Sequence, residues 1–334
     1  MPVSGGERRR PIWQPALPAT VARMGTRWRW DQVPKVVQDM VEAGLGSLVT
    51  EFASATSGYS PALAGVARLA DQRRIFLKGI PRDQHPGLGE VLAREIAINA
   101  SLASYRPPAP VLLGHWTGQA WTVAAWEAVD GPSPGNPWTE EQLRDVGRTL
   151  RLVRALPVTG LPAAAEVYGE WFGGWARLAE GDPARAHRAP ADSTELWWRP
   201  RLPLLQDLER HSLDTVVGGS FVHNDVRSDN LLVTASGSTL VVDWVHSCVG
   251  ADWLDAALLS VSVAAEDGLH PDRVLDLLGI VIPDDRKTAF IAGWAGYLVH
   301  ASRLPTTPQT EDLRHHQHRK AAAAIAWLES SLSA

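Results

Sequence analysis

One stretch of the sequence constrains the fold of this chain more than any other. His223 and Asp225 follow an apolar pair, and Asn230 lies five residues after Asp225. Asp243 then ends a second apolar run. The apolar runs predict short β-strands, with a hairpin between Asn230 and Asp243. Because polar residues at fixed spacing between strands seldom coincide by chance, the pattern predicts a polar loop that carries the function.

The residue types in this stretch suit phosphoryl transfer from ATP. That reaction needs a carboxylate to orient the acceptor hydroxyl, and oxygen ligands for Mg²⁺. Asp225 is the candidate for the first role. Asn230 and Asp243 are the candidates for the second, because Mg²⁺ prefers hard oxygen ligands and keeps several waters. One amide oxygen and one carboxylate, together with the phosphates of ATP, are therefore sufficient to hold Mg²⁺.

The rest of the chain divides into two parts of different character. Short apolar runs broken by Gly, Ser and Pro within residues 48–80 and 108–129 predict antiparallel strands. After the Pro- and Gly-rich stretch 130–137, helical spacing dominates and predicts six helices, one of them over residues 166–181. We therefore predict an α+β fold with three parts: a flexible N-terminal arm (1–29), a sheet-containing lobe (30–129) and a mainly helical lobe (130–334).

The polar loop resembles the catalytic and metal-binding loops of the aminoglycoside phosphotransferase family, small-molecule kinases with a protein-kinase-like fold. His223, Asp225 and Asn230 match the H-x-D-x-x-x-x-N motif of that family, and Asp243 matches its metal-binding aspartate. Residues 250–257 are similar to the segment that follows the metal site in many members. The resemblance implies a bilobal fold, with an N-terminal antiparallel sheet lobe, a mainly helical C-terminal lobe, and ATP and Mg²⁺ bound between the lobes.

The resemblance also assigns an ion pair to the first lobe. Lys78 corresponds to the strand lysine that holds the α- and β-phosphates, and Glu95 on the next helix corresponds to its carboxylate partner. Glu90 is the alternative partner, and simple exposure on the helix is the alternative for both acids. Only four of the 32 basic residues are lysines. A lysine at this position is therefore informative, since a compact ammonium suits it better than a planar guanidinium.

Further nucleotide contacts rest on position alone. Gly58 and Ser60 lie in a segment that resembles the loop over the phosphates, although an ordinary β-turn explains it equally well. Glu127 and Val129 lie in a segment that resembles the connection between the lobes. The resemblance implies that the carbonyl of Glu127 and the amide of Val129 bond the edge of the adenine.

Arg227 is the second candidate catalytic residue. It follows Asp225 by two residues, where kinase-like enzymes often place a cation near the transferred phosphoryl group. A salt bridge to Asp229 is the alternative, because kinked loops often use such pairs. Asp255 is expected to have a structural role beneath the loop. One departure from the family pattern is Asn224, which stands where glycine is common.

Two other groups of side chains have plainer explanations. Trp171 and Trp175 are four residues apart and could offer an aromatic wall to a cation, but buried packing is the preferred interpretation. The histidines at 315, 316 and 318 could bind a transition metal. A solvated helix face is preferred for them.

The predicted function is ATP- and Mg²⁺-dependent transfer of the γ-phosphoryl group to a hydroxyl of a small molecule. The resemblance implies an aminoglycoside-like or other cationic antibiotic as acceptor, and hence a role in antibiotic resistance. A metabolic amino alcohol or sugar is an alternative acceptor, and a nucleotide-binding pseudokinase is the alternative outside catalysis. Acids of the helical lobe could supply a pocket for a cationic acceptor: Glu166, Glu170, Asp182, Asp192 and Glu195.

Composition and charge argue against other classes. The net charge of -5 argues against nucleic-acid binding, because such binding needs a concentrated basic surface. No apolar run approaches the roughly 18 residues of a membrane span, and no secretory signal is recognisable at the N-terminus. The single cysteine permits no internal disulfide. We therefore expect a cytoplasmic protein, a monomer or weak homodimer, without nucleic-acid or membrane partners.

Overall fold

The computed structural model describes residues 27–55, 62–181, 193–307 and 310–333. These residues form two compact units. The first unit comprises the described residues up to Ala97 together with Leu112–Trp126, and the second comprises Ile98–Val111 and the residues from Glu127 onward.

The first unit is built around a five-stranded sheet of order β1-β2-β3-β5-β4. The pairs β1–β2, β2–β3 and β4–β5 are antiparallel. Two helices accompany the sheet, the second of which ends in the other unit. In chain order these elements are α1 (Lys35–Leu45), β1 (Val49–Ser54), β2 (Leu63–Leu69), β3 (Arg74–Pro81), α2 (Pro86–Leu102), β4 (Leu112–Gly118) and β5 (Trp121–Glu127).

The two faces of this sheet pack against different helices. Successive side chains of a strand point to opposite faces. Ile75 and Leu77 of β3 belong to a buried cluster that includes Val37 and Val41 of α1. Ile80 packs instead with Leu92 and Ile96 of α2 in a second cluster. The alternation therefore places the residue two before Ile80, Lys78, on the face that α2 covers.

The second unit is mainly helical, and two small antiparallel sheets lie within it, β6 with β9 and β7 with β8. The predicted α+β class, with an antiparallel sheet first and helices after it, is confirmed. The remaining elements are α3 (Glu140–Val153), α4 (Ala164–Trp171), α5 (Gly174–Glu180), α6 (Ser193–Trp198), α7 (Leu202–Glu209), α8 (Ser212–Thr215), β6 (Ser220–Val222), β7 (Leu231–Val233), β8 (Thr239–Val241), β9 (Cys248–Gly250), α9 (Leu254–Asp267), α10 (Pro271–Leu278), α11 (Asp284–Ser302) and α12 (Glu311–Ser333).

The small sheets fix both ends of the polar loop. The loop leaves β6 after Val222 and enters β7 at Leu231, and Leu231 pairs with Val241 of β8. One residue beyond that pair, the amide of Val242 donates a hydrogen bond to the carbonyl of Asn230 at 3.0 Å. The two candidate metal-binding positions, Asn230 and Asp243, are thereby brought next to each other.

The segment that follows β5 is attached to the same hairpin. A Cβ atom at Gly131 would lie 1.9 Å from the carbonyl oxygen of Val233, so only glycine permits this approach. The amide of Val233 donates to the carbonyl of Pro132 at 2.9 Å. Within the described residues, no helix combines the length and the apolar character needed to cross a membrane.

Candidate active site

Helix α9 supports the start of the polar loop through Asp255. Its Oδ2 accepts a hydrogen bond from the amide of His223 at 2.8 Å, and its Oδ1 accepts one from the amide of Asn224 at 2.7 Å. Burial raises the pKa of this carboxyl to about 6, although the two amide donors act in the opposite direction. The predicted structural role of Asp255 is confirmed.

His223 joins the loop to the residue before Asp243. The side chain is buried, and its Nδ1 accepts a hydrogen bond from the amide of Asp225 at 3.3 Å. The proton of the neutral ring is therefore on Nε2, which lies 3.1 Å from the carbonyl oxygen of Val242 and donates to it. Burial lowers the pKa of the imidazole to about 4, so the ring is neutral at physiological pH. His223 is a structural brace between the two halves of the site.

The side chain of Asn230 holds the carboxylate of Asp225. Its Nδ2 donates to the main-chain carbonyl of Asp225 and to its Oδ2, both at 2.8 Å. The guanidinium Nε of Arg227 lies 3.7 Å from the other carboxylate oxygen, Oδ1. The Asp225 side chain remains one quarter exposed. The carboxylate thus has a fixed orientation and stays accessible to a ligand.

Two residues of the site have left-handed backbone conformations. Both Asn224 and Asp243 have φ of 66°, where glycine is the least strained residue and asparagine the best-tolerated substitute. This conformation explains why Asn224 can stand where the family commonly has glycine. The hydroxyl of Tyr168 also donates to Oδ1 of Asn224 at 2.8 Å. For Asp243, strain of this kind is typical of a functional position.

Two contacts that the sequence did not indicate fix the middle of the loop. Oε1 of Glu266 accepts a hydrogen bond from the Ser228 hydroxyl at 3.0 Å. Its Oε2 accepts one from the indole N–H of Trp138 at 2.9 Å. Glu266 lies near the end of α9, whereas Asp255 lies near its start. One helix therefore holds the loop at two points, and no motif marks the second.

The first unit contains the predicted ion pair. Nζ of Lys78 lies 2.7 Å from Oε2 of Glu95, whose side chain is only 6% exposed. Glu90 is exposed, so the lysine pairs with the acid that the sequence favoured. Gly58 and Ser60 lie outside the described residues.

The segment expected to contact the adenine is described by the structure. Glu127 is the exposed last residue of β5, and its amide donates to the carbonyl of Val111 at 2.9 Å. Val129 follows two residues later and is half-buried. Their contacts with adenine stay a prediction.

Arg227 forms an ion pair with Asp229. Its Nη2 donates to Oδ2 of Asp229 at 3.0 Å, and its Nε lies 2.8 Å from Oδ1 of the same side chain. Burial acts to lower the pKa of the guanidinium, but the charges of Asp225, Asp229 and Asp243 outweigh it and raise the pKa. The salt bridge considered as the alternative is thus present, and the cation also lies beside Asp225.

Replacing Arg227 with alanine is expected to lower kcat about 10²-fold, the low end of the cost of one lost transition-state donor. The KM for ATP should change little, because the cation acts on charge that develops during transfer. Steady-state kinetics and thermal unfolding measure both effects. Arg210→Ala is the matched control, since Arg210 forms an exposed pair with Asp207. A fall in Tm with a rise in KM would assign Arg227 a structural role only.

Acid is expected to destabilise the protein through His223. Its pKa falls from 6.5 to about 4 on folding. The unfolded chain therefore binds the proton more tightly, and the contribution of His223 is lost as the pH falls through this range. Denaturant unfolding measures the free energy of unfolding at about pH 7 and about pH 4.5. Between these pH values, we expect it to decrease by roughly 2–3 kcal/mol less in His223→Gln than in the wild type. An equal loss in both proteins would contradict the assignment.

With this geometry established, comparison with known proteins identifies the family. The sequence profile of the phosphotransferase enzyme family matches residues 52–291. The chain belongs to this family. It is therefore a phosphotransferase that acts on a hydroxyl group of a small molecule. The resemblance indicated by the loop motif is confirmed.

Solved structures of other phosphotransferases and of a kinase have the same fold. A spectinomycin phosphotransferase with bound ADP and spectinomycin is 12% identical, with a TM-score of 0.59 over 90% of this chain and 98% of that one. An aminoglycoside phosphotransferase from Alicyclobacillus acidocaldarius is 16% identical, with a TM-score of 0.57 over 93% and 98%. The choline kinase from Streptococcus pneumoniae is 14% identical, with a TM-score of 0.54 over 89% and 98%. No curated protein sequence matches the chain significantly.

Proposed function

We propose that this phosphotransferase uses ATP with Mg²⁺ and transfers the γ-phosphoryl group to an acceptor hydroxyl oriented by Asp225. The observation that carries the proposal is the double hydrogen bond from Asn230 to Asp225. This bond holds Oδ2 of Asp225 and leaves Oδ1 for the acceptor hydroxyl. It uses only the amide nitrogen of Asn230, so the amide oxygen can bind another partner. A purely structural loop has no need of an accessible carboxylate held in this way.

The residues present fit a Mg²⁺ ion that accompanies a nucleotide. The amide oxygen of Asn230 and the carboxylate of Asp243 are hard oxygen ligands and lie on adjacent strand ends. Within the described ranges, no group of three or more His, Cys, Asp or Glu residues could hold a metal alone. Such a two-residue site suits Mg²⁺, which takes its other ligands from phosphates and water. When bound, the ion would neutralise charge that develops on the transferred group.

The chain's own residues account for the other requirements of the reaction, which are removal of the hydroxyl proton, positive charge near the transferred group and binding of the phosphates. The acceptor O–H bond breaks as its oxygen bonds to the γ-phosphorus. The bond from that phosphorus to the β–γ bridging oxygen breaks, and ADP leaves. Asp225 orients the hydroxyl and takes its proton, and Arg227 supplies positive charge beside Asp225. Lys78 would hold the α- and β-phosphates, and the buried carboxylate of Glu95 would keep its ammonium in place.

The pseudokinase alternative is disfavoured by the same residues. A nucleotide-binding protein without activity would tolerate loss of Lys78, Asp225, Asn230 or Asp243, and all four are present. The hydrogen bond between Lys78 and Glu95 also supports an active enzyme, because it would keep the ammonium in place for the phosphates.

A screen of ATP consumption tests the proposed function. ADP release is measured with the full chain, Mg²⁺ and hydroxyl compounds of different charge, including aminoglycosides, amino alcohols and sugars. We expect at least one acceptor to stimulate Mg²⁺-dependent ADP release, and Asp225→Ala to abolish the stimulation. Stimulated turnover that persists in Asp225→Ala would contradict the proposal.

A further inference from the structure

The second unit contains an aromatic cluster that contacts the polar loop. Trp171 of α4 stacks on Tyr297 of α11 with ring centroids 5.6 Å apart. Trp294 of α11 lies 5.9 Å from Trp171 and 5.1 Å from Tyr297. The ring centroids of Tyr168 and Trp294 lie 6.3 Å apart. The Tyr168 hydroxyl donates a hydrogen bond to Asn224, the residue before Asp225. The cluster is therefore part of the surroundings of the acceptor-orienting carboxylate.

Polar atoms of this cluster lack hydrogen-bond partners. Within the part of the chain that the structure describes, Nε1 of Trp171, Nε1 of Trp294 and Nδ2 of Asn224 are buried without an acceptor. Each of these atoms is a donor and none is an acceptor. A buried donor left unpaired costs about 1–3 kcal/mol, so native structures pair nearly all of them. Three such donors, one of them on the residue before Asp225, indicate a ligand that supplies oxygen acceptors.

Helix α12 adds positive charge to the same surroundings. Burial raises the pKa of the Tyr297 hydroxyl to about 12; the charge of Arg314 opposes this shift and that of Asp225 adds to it. Helix α12 also packs along α11, the helix that contains Trp294 and Tyr297. Nη1 of Arg314 donates to Gln317 at 2.7 Å, whereas its buried Nε has no acceptor among the described residues. From residue 314 to residue 320, α12 contains no carboxylate.

The next inward-facing positions of α12 are also basic. His316 was expected on a solvated face, but it is half-buried, and burial lowers its pKa to about 3. Lys320 is half-buried as well. Burial and the charge of Arg227 lower its pKa to about 8, although Asp225, Glu266 and Asp229 act in the opposite direction. The half-buried side chains of this segment thus include two cations, Arg314 and Lys320, and one neutral imidazole, His316.

Of the acids expected to bind a cationic acceptor, the three that the structure describes are engaged in ion pairs or exposed. The Glu195 carboxylate is bound by Arg199 at 2.5 Å and by Arg303 at 2.8 Å. Glu166 and Glu170 are exposed. Asp182 and Asp192 lie outside the described residues.

We propose, on the basis of the function proposed above, that the acceptor is an uncharged or anionic hydroxylated ring compound with carbonyl or carboxylate oxygens. Its ring packs against Trp294 and Tyr297, the half-buried members of the aromatic cluster. Its oxygens accept hydrogen bonds from the two indole N–H groups and from Arg314. A polyammonium compound fits this arrangement poorly, because it brings further donors and meets the charge of Arg314.

Matched compounds test this inference. Each set carries one hydroxyl on one aromatic scaffold and differs in a single group: a carboxylate, a carboxamide or an ammonium, as in 3-hydroxy-3-phenylpropanoate, its amide and the corresponding amino alcohol. ADP release gives kcat/KM, and quenching of tryptophan fluorescence gives binding independently of turnover. We expect the carboxylate and carboxamide members to be favoured at least about tenfold in one or both measurements. Equal or better use of the ammonium members overturns the inference, as does absence of binding by the other two.

Variants separate the contacts. Arg314→Gln should raise the KM for the carboxylate member about tenfold and leave the KM for ATP unchanged. Trp171→Phe keeps a ring but removes its N–H, and should weaken binding of the carboxamide member. Arg319→Gln, an exposed position on the same helix, is the matched control and should behave as wild type. An unchanged acceptor KM in Arg314→Gln overturns the proposed contact.

The two proposals fail in different ways. Turnover confined to ammonium compounds overturns the acceptor inference and leaves the proposed phosphotransfer intact. Absence of Mg²⁺-dependent ATP turnover with every compound would contradict the proposed function itself. In that case, fluorescence binding of the matched compounds still decides the acceptor class that the aromatic cluster prefers.

Discussion

Replacing Asp243 with alanine is expected to lower kcat by at least about 10³-fold, which corresponds to about 4 kcal/mol of transition-state stabilisation. On the proposed assignment, the variant would lose a charged metal ligand, and with it the charge neutralisation that the ion would supply. The fold should persist, because the side chain is half-exposed and the loop is held by other contacts. Those contacts include the bonds of His223 and Val242. Single-turnover kinetics with varied Mg²⁺, alongside thermal unfolding, measure both expectations.

Asn230→Ala separates the metal role from the support of Asp225. Asn230 offers a neutral ligand, so we expect a milder loss than for Asp243→Ala. Some of that loss should persist at saturating Mg²⁺, because the variant also releases the Asp225 carboxylate.

The control for Asp243→Ala is Asp207→Ala, which removes a carboxylate from an exposed ion pair. Turnover by Asp243→Ala within a few fold of wild type would sink the metal assignment.

Replacing Lys78 with arginine is expected to lower kcat/KM for ATP about 10²- to 10³-fold, although the charge is kept. The ammonium lies 2.7 Å from a nearly buried carboxylate, on the sheet face that α2 covers. A planar guanidinium is longer and cannot act as a compact charge between Glu95 and the phosphates. Affinity for ATP and rate should both fall.

The chain offers a matched control for this substitution. Lys287 forms a similar pair with Asp272 at 2.6 Å, and its side chain is 25% exposed compared with 24% for Lys78. Lys287→Arg should leave ATP kinetics unchanged. If both variants behave like wild type, Lys78 does not hold the phosphates, and the proposed phosphate loop around Gly58 loses its support.

The sequence predicted the strands of the first unit because their signals are local. Apolar runs separated by Gly, Ser and Pro mark β1 to β5, and the structure contains each of them. One predicted helix, over residues 166–181, is instead two helices. Gly173 has φ of 91° and separates α4 from α5. A Cβ at Gly174 would lie 2.0 Å from the carbonyl oxygen of Gly296, a tertiary approach that helical periodicity does not reveal.

Helix α10 and strand β9 are among the elements of the second unit that the sequence did not predict, for different reasons. The start and end of α10 are marked in the sequence, by Pro271 at its first position and Gly279 after its end, so its signal was present. Strand β9 is only three residues long and exists through pairing of Val249 with Phe221 of β6, 28 positions away. Such pairing depends on the fold and has no local pattern.

The same distinction applies to the site. Asp225 and Asn230 are five positions apart, so one motif contains the contact between them. Glu266 reaches Ser228 across 38 positions, and Arg314 lies on a different helix from Tyr297. Neither residue belongs to a recognisable pattern. The phosphotransferase class was therefore predictable from the sequence, whereas the contacts that support the loop required the structure.

The most direct test of the central claim is detection of the phosphorylated acceptor. The full chain is incubated with ATP, Mg²⁺ and the preferred member of the matched compounds, and the acceptor is analysed by mass spectrometry and ³¹P NMR. The account predicts that wild type adds one phosphoryl group at a hydroxyl and forms ADP in equal amount. Asp225→Asn, which keeps the size of the side chain, should form neither. Release of ADP without a phosphorylated acceptor, or equal product from Asp225→Asn, would contradict the account.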